Sequence, residues 1–296
     1  MKKFILMAAM ALMAGFVQAA DIFEGELNVY TFNNIDGASQ NLSSGLGYNG
    51  SAEIDYYVTE NKMLRHDKTL RYYMLFDKEA DKVYIWSDVS PKGIYVPYKD
   101  YIAFSNIFSP NERKFMMVSL PAPKVYDINE VKSGYQSFGH DAKFYTVRIE
   151  LETPSMMGKK NTNVTDIEME TISGYDMSEA LRADLVYGTD VPGFVTKYRW
   201  VQEMNAKGLG LIGKAVGIKD HMKGSQGIEV RSIKPQKIDI AVFNLPENVK
   251  FSKKSVAGLH GYYKSISKGL KKQKLFPGED GNPVVTFEVN EDEWSY

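Results

Sequence analysis

Phe144-Tyr145-Thr146-Val147-Arg148-Ile149-Glu150-Leu151 is the stretch whose reading decides the fold of this 296-residue chain. Tyr145, Val147, Ile149 and Leu151 fall on one side, and Thr146, Arg148 and Glu150 on the other. Successive side chains of a strand point to opposite faces, so strict alternation marks a half-buried β-strand. The same period returns where Ile167 and Met169 oppose Asp166, Glu168 and Glu170. It appears again where Leu27, Val29 and Thr31 oppose Asn28, Tyr30 and Phe32. Further strand-like runs lie at 52–58, 70–76, 83–86, 101–104, 115–120, 194–201, 228–233, 238–243 and 284–289. Turn signals separate them: Asp36-Gly37, Asn49-Gly50, Pro91-Lys92-Gly93, Val191-Pro192-Gly193 and Leu245-Pro246. Helical patterns do not alternate with these strands, so the expected sheet is antiparallel with one face buried.

Two segments read as helices. Residues 206–223 place Leu211, Ala215, Ile218 and Met222 on one stripe. Gly208, Gly210, Gly213 and Gly217 weaken it, each by up to ~1 kcal/mol against alanine. Residues 252–274 place Val256, Leu259, Tyr263, Ile266 and Leu270 at helical spacing. The expected fold is α+β and mostly β: a curved antiparallel sheet, a half-barrel of about ten or eleven strands. A glycine-rich lid helix and a C-terminal basic amphipathic helix accompany it. The expected division is a leader at 1–20, the half-barrel at 21–251, and a C-terminal helix with a final strand and acidic tail at 252–296.

The leader expectation rests on Lys2 and Lys3, the apolar run that follows them, and the small residues Ala19 and Ala20 before Asp21. This is the layout of a secretory signal, which export removes. It is too short to span a bilayer permanently. The chain has no cysteine, so it has no disulfide framework and no thiol for a lipid anchor at the cleavage site. The expected location is periplasmic or extracellular. Formal charge is nearly balanced, with 36 basic and 37 acidic residues, which argues against nucleic acid as a partner. Hydrophobic content of 44% and aromatic content of 12% suffice for a large core.

No catalytic motif is complete. Gly208-Leu209-Gly210-Leu211-Ile212-Gly213 matches the dinucleotide fingerprint in letters. That site needs its glycines directly off a parallel strand and before a helix N-terminus, and no βαβ series surrounds these. His66-Asp67, His140-Asp141 and Asp220-His221 pair an imidazole with a carboxylate. Adjacent strand residues face opposite ways, so each pair would need distant partners to become a base or a metal site. Ser265-Ile266-Ser267-Lys268 fits Ser-x-x-Lys without its companion Ser-Asp-Asn element. The reading is therefore a non-enzyme, with no cofactor and no metal.

Other short motifs carry a resemblance when taken in order: Phe23-Glu24-Gly25, then Asn61-Lys62-Met63-Leu64-Arg65, then Ile172-Ser173-Gly174-Tyr175. Leu185-Val186-Tyr187-Gly188-Thr189-Asp190, Ser232-Ile233 and Val242-Phe243-Asn244-Leu245-Pro246 complete the set. Together they resemble an uncharacterised family of exported bacterial proteins, a domain of unknown function. That family is similar in outline to the lipoprotein-carrier half-barrels of the periplasm. The resemblance implies a curved antiparallel sheet wrapped round an apolar concavity and plugged by helices. It supplies no catalytic residues, and it leaves the basic helix unexplained. Several members bear cysteines or a lipid anchor, which this chain lacks.

The functional expectation is a binding module that holds a lipid or acyl chain in the concavity. Tyr145, Val147, Ile149, Leu151, Ile167 and Met169 are the candidate apolar lining. The alternative is a structural or interaction protein of the cell envelope whose concavity is plugged by its own helix. Lys264, Lys268, Lys271 and Lys272 are the candidate contacts to an anionic membrane or an envelope protein. Glu279, Asp280, Glu288, Glu291, Asp292 and Glu293 follow them and could neutralise them internally.

Overall fold

The computed structural model describes residues 20–33, 51–106, 125–154, 160–186, 210–219 and 225–275. The strands are β1 (Asp21–Ile22), β2 (Gly25–Asn33), β3 (Ala52–Val58), β4 (Lys62–Asp67), β5 (Tyr72–Asp77), β6 (Lys82–Ser87) and β7 (Ser90–Pro97). They continue with β8 (Val125–Ser137), β9 (His140–Pro154), β10 (Lys160–Ile172), β11 (Tyr175–Asp176), β12 (Leu211–Lys219), β13 (Ser225–Pro235) and β14 (Lys250–Lys253). Among the described residues the helices are α1 (Tyr98–Asn106), α2 (Glu179–Leu181) running into a π-helical turn (Arg182–Val186), and α3 (Leu259–Lys272).

Twelve strands form one curved, unclosed sheet in the order β14-β7-β6-β5-β4-β3-β2-β13-β12-β10-β9-β8. Every neighbouring pair is antiparallel except β14 with β7. The mostly-β expectation therefore holds, with more strands than the sequence suggested. Strands β4, β7, β8, β12 and β14 fall where no strand-like run was expected, and β12 occupies the middle of the segment expected to be a glycine-rich lid helix. Its pairing with β10 sets Gly217 opposite Ile167 and Ala215 opposite Met169. A Cβ on Gly213 would lie 2.9 Å from Glu170 Oε1. At Gly210 a Cβ would fall 2.6 Å from the Ile172 carbonyl oxygen, so Gly210 and Gly213 let the start of β12 lie close to β10.

Other boundaries moved for local reasons. The run at 101–104 is not a strand but part of α1, where Tyr98 and Ile102 are one helical turn apart and both buried. The run at 238–243 contains a 3₁₀ turn (Ile240–Phe243) instead of a strand. The Asp239 carboxylate caps it by accepting from Ala241 N at 2.9 Å. The helix expected from 252 starts only at Leu259, after β14 and a 3₁₀ turn (Val256–Gly258). The boundary expected at Ser252 falls inside β14, and Leu259, Ile266 and Leu270 of α3 join the main core. The expected strands at 115–120, 194–201 and 284–289 lie outside the described residues, as does all of the leader expected at 1–20 except its last residue.

The main core forms on one face of the curved sheet, the face the helices cover, called the inner or concave face below. Leu27, Val29, Ile54, Val58, Met63, Met74, Phe76, Val83, Ile85, Ile94 and Val96 line that face of β2 to β7. Tyr98 and Ile102 of α1, Leu181 of α2, Leu185 of the π turn, and Leu259, Ile266 and Leu270 of α3 pack against them. Each fully buried aliphatic side chain contributes about 1.5–3 kcal/mol of burial free energy. A second, smaller cluster lies on the opposite face of β4 to β6. There Leu64, Leu75 and Trp86 are covered by Ile238 and Phe243, with Phe251 packed against them.

A short parallel pair of β1 with β11 ties the start of the sheet to its far half, and Phe23 N donates to Asp176 O at 2.8 Å. Gly25, which follows this pair, lets β2 and β13 approach closely. Its φ is +152°, and a Cβ there would fall 2.2 Å from the Lys234 carbonyl oxygen. Any side chain would force β2 and β13 apart.

Candidate functional site

Strand β4 reads Lys62-Met63-Leu64-Arg65-His66-Asp67. Period two sends Met63, Arg65 and Asp67 towards the concave core and Leu64 to the outer cluster. One strand thus carries a cation and an anion into an otherwise apolar face. A second carboxylate, Asp184, reaches them from the π turn. Ser178 caps the short helix leading into that turn, accepting from Leu181 N at 3.2 Å.

These groups form one buried cluster. Arg65 Nη2 lies 3.2 Å from Asp67 Oδ2, and Arg65 Nε lies 3.2 Å from Asp184 Oδ2. The Nε contact is a charge contact only, because the N–H points off-line and makes no hydrogen bond. Tyr56 OH on β3 donates to Asp184 Oδ2 at 2.7 Å. Arg65 Nη1 donates to the Tyr72 hydroxyl on β5, and Leu70 N donates to Asp67 Oδ1 at 2.7 Å. From α3, Tyr263 reaches the same place, its OH 3.8 Å from Met74 Sδ and its ring edge-on to Tyr72. The side chains of Arg65, Asp67 and Asp184 are only 13%, 1% and 8% exposed.

Charge at this depth needs compensation, because removing an ion from water costs several kcal/mol. Burial works against the Arg65 cation, but Asp184, Tyr56 and Asp67 outweigh it and hold the guanidinium more firmly protonated than usual. Burial pushes the Asp67 carboxyl above its ordinary range, an effect that Arg65 and the Leu70 N–H offset only in part. Burial, then the adjacent Asp184, raises the Tyr56 phenol well above its usual value. Burial likewise raises Tyr101 and Tyr263. The phenols therefore stay protonated and act as donors and spacers.

The raised Asp67 carboxyl has a testable consequence. Its folded pKa exceeds its unfolded one, so its stabilising contribution is complete below the ordinary carboxylate range. That contribution is lost as pH rises through the folded value. Asp67→Asn removes this titration. In urea unfolding from pH 4 to pH 8, the variant should gain on the parent protein as pH rises. A stability difference that stays flat with pH would refute this.

The cluster contains no histidine, which limits its chemistry. His66 points outward and stacks on Tyr73, ring centroids 4.3 Å apart, and Tyr73 stacks in turn on Trp86. Burial lowers the His66 pKa. His140 sits edge-on to Tyr175. His221 lies outside the described residues. Among the described residues no group of three or more His, Asp or Glu could hold a metal ion. The dinucleotide-like letters do not open a helix, since Gly213 lies within β12. Ser265 and Lys268 are both exposed on α3, and the Ser265 hydroxyl donates to Tyr262 O at 2.7 Å.

The apolar residues expected to line a ligand site do meet. Val147 pairs with Ile167 and Tyr145 with Met169 across β9 and β10. All four are buried within the main core. The expectations for the Ile149 and Leu151 side chains fall outside the described residues. Lys264, Lys268, Lys271 and Lys272 are all exposed on α3. Sequence reasoning missed the Arg65 cluster, although a signal was present: Arg65 and Asp67 share the strand parity of Met63 on a face that must be buried.

No protein-family model matches the chain, and no curated protein matches it. Among the described residues no helix is long and apolar enough to cross a membrane. Any assignment of function therefore rests on the geometry above.

Proposed function

We propose that the protein is an exported, non-catalytic binding module of the bacterial cell envelope. In this reading the sheet is a half-barrel whose concavity takes an apolar or amphipathic ligand, such as a lipid or acyl chain. The observation that supports it is the apolar inner face of β2 to β7, which among the described residues is covered by helical segments. The cover is pinned at its centre by one polar cluster, with Asp184 reaching Arg65 and Tyr56. Concave apolar surfaces bearing a few fixed polar groups are where small hydrophobic ligands bind.

Another observation favours a second reading. Leu181, Leu185, Ile266 and Leu270 already pack into the concave side, as expected of an envelope interaction protein plugged by its own helices. Organic extraction and native mass spectrometry of the purified protein separate the two. The carrier reading expects one acyl-chain ligand per protein, or saturable uptake of a fluorescent fatty acid. A protein that is clean and takes up no such probe leaves the plugged reading standing and ends the carrier reading.

A further inference from the structure

We propose that the outward face of α3 is an electrostatic docking surface for an anionic lipid bilayer. Lys264, Lys268, Lys271 and Lys272 are spaced four, three and one residues apart, which places them within roughly 100° of helix arc. Among the residues of α3 whose burial is described, Gly261 and Ser265 complete this exposed face, which holds lysine, serine and glycine. The helix contains no acidic residue.

The opposite side of α3 is already committed. Leu259, Ile266 and Leu270 are buried in the main core. A Cβ added to Gly269 would meet the Val89 side chain at 3.0 Å, and Gln273 Nε2 donates to Val89 O at 3.4 Å. A helix that enters a membrane interface must bury its apolar stripe in lipid. This stripe is spent on the protein, so attraction through the lysines is what remains. Helix-dipole complementarity accounts for Lys271 and Lys272 in the last turn, but not for Lys264 and Lys268.

The composition of the face also distinguishes its occupant. Protein–protein interfaces are enriched in aromatic residues and arginine and depleted in lysine, and their energetic centres are Trp, Tyr and Arg. An all-lysine face without an aromatic anchor lacks those features. It matches a laterally mobile sheet of negative headgroups, towards which each nearby lysine contributes about five-fold in affinity.

The experiment is co-sedimentation of the full chain, purified after export, with vesicles of 30% phosphatidylglycerol in phosphatidylcholine. Pure phosphatidylcholine vesicles serve as the comparison. Binding is expected only to the anionic vesicles at low ionic strength, and it should vanish near 0.5 M salt as the charges are screened. Changing all four lysines to glutamine should weaken binding by roughly six hundred-fold, about five-fold for each of the four. Changing all four to arginine should preserve it. The substituted side chains are exposed, so an unchanged thermal melt certifies the fold of each variant. No binding to anionic vesicles, equal binding to neutral ones, or binding that survives the glutamine variant would overturn the proposal. Salt-sensitive capture of an acidic protein by a chain that ignores the vesicles would also overturn it, in favour of a protein partner.

Discussion

Asp184→Ala is expected to cost about 3–5 kcal/mol of folding stability, the usual penalty for removing one member of a buried ion pair. Asp184 is the carboxylate that links the π turn to the sheet, through Arg65 Nε and the Tyr56 hydroxyl. Its loss leaves Tyr56 without its acceptor and Arg65 with Asp67 as its remaining carboxylate. Urea unfolding of the variant measures the cost. Pairing Asp184→Leu with Arg65→Met and Asp67→Asn tests the cause, since Asp67 also depends on Arg65 for its counter-charge. Replacing a buried ion pair or triad by uncharged residues of similar volume is often neutral or stabilising, so this triple variant should recover stability lost by Asp184→Ala. A loss below about 1 kcal/mol for Asp184→Ala, the range of a solvated surface pair, would show that the cluster is not buried as described.

Phe76→Ala is expected to cost about 3–5 kcal/mol, as large-to-small changes of buried aromatic residues do. Phe76 is fully buried on β5, between Met63 of β4 and Val83 of β6 in the strand register. Its ring meets that of Tyr101 on α1 edge-on, with centroids 5.3 Å apart. The substitution would leave an apolar void beneath α1, and such voids stay dry and accept small apolar molecules. Chemical denaturation with and without benzene therefore reads both effects: a large loss, partly restored by the ligand. A variant within about 1 kcal/mol of the parent would mean that this part of the concave face is loosely packed. Benzene that stabilises parent and variant equally would point to a pre-existing cavity.

Period-two alternation made the strands legible because it is local: each strand needs only its own residues to declare which side is buried. Runs at 52–58, 70–76, 83–86 and 228–233 correspond to β3, β5, β6 and β13 on that signal alone. The same signal misled at 101–104, where a four-residue apolar run fits a strand or a helix equally well. The docking of Tyr98 and Ile102 on the sheet decided for helix. It also failed at 211–219, where Leu211, Ala215 and Ile218 satisfy a helical stripe by sequence. Close approach to β10, which Gly210 and Gly213 permit, made that segment a strand.

The Arg65 cluster shows the same limit from the side of function. Asp184 is 119 positions from Arg65, and no periodicity links a π turn to a strand that distant. Arg65 and Asp67 could have been flagged as charges on a buried-face parity, but their partner could not have been named. The candidate lysines were readable because their helix is continuous, whereas the burial of its apolar stripe was not.

Unaided, the order of residues settled that this chain makes a mostly-β antiparallel sheet and a basic amphipathic helix. Those features follow from side-chain periodicity within a single element. Only the tertiary structure decided that the apolar stripe of α3 joins the main core, that β12 is a strand, and that Asp184 completes a buried charge cluster. Each of these depends on which distant surfaces can exclude water from one another, and that free energy belongs to pairs of elements, not to any one of them.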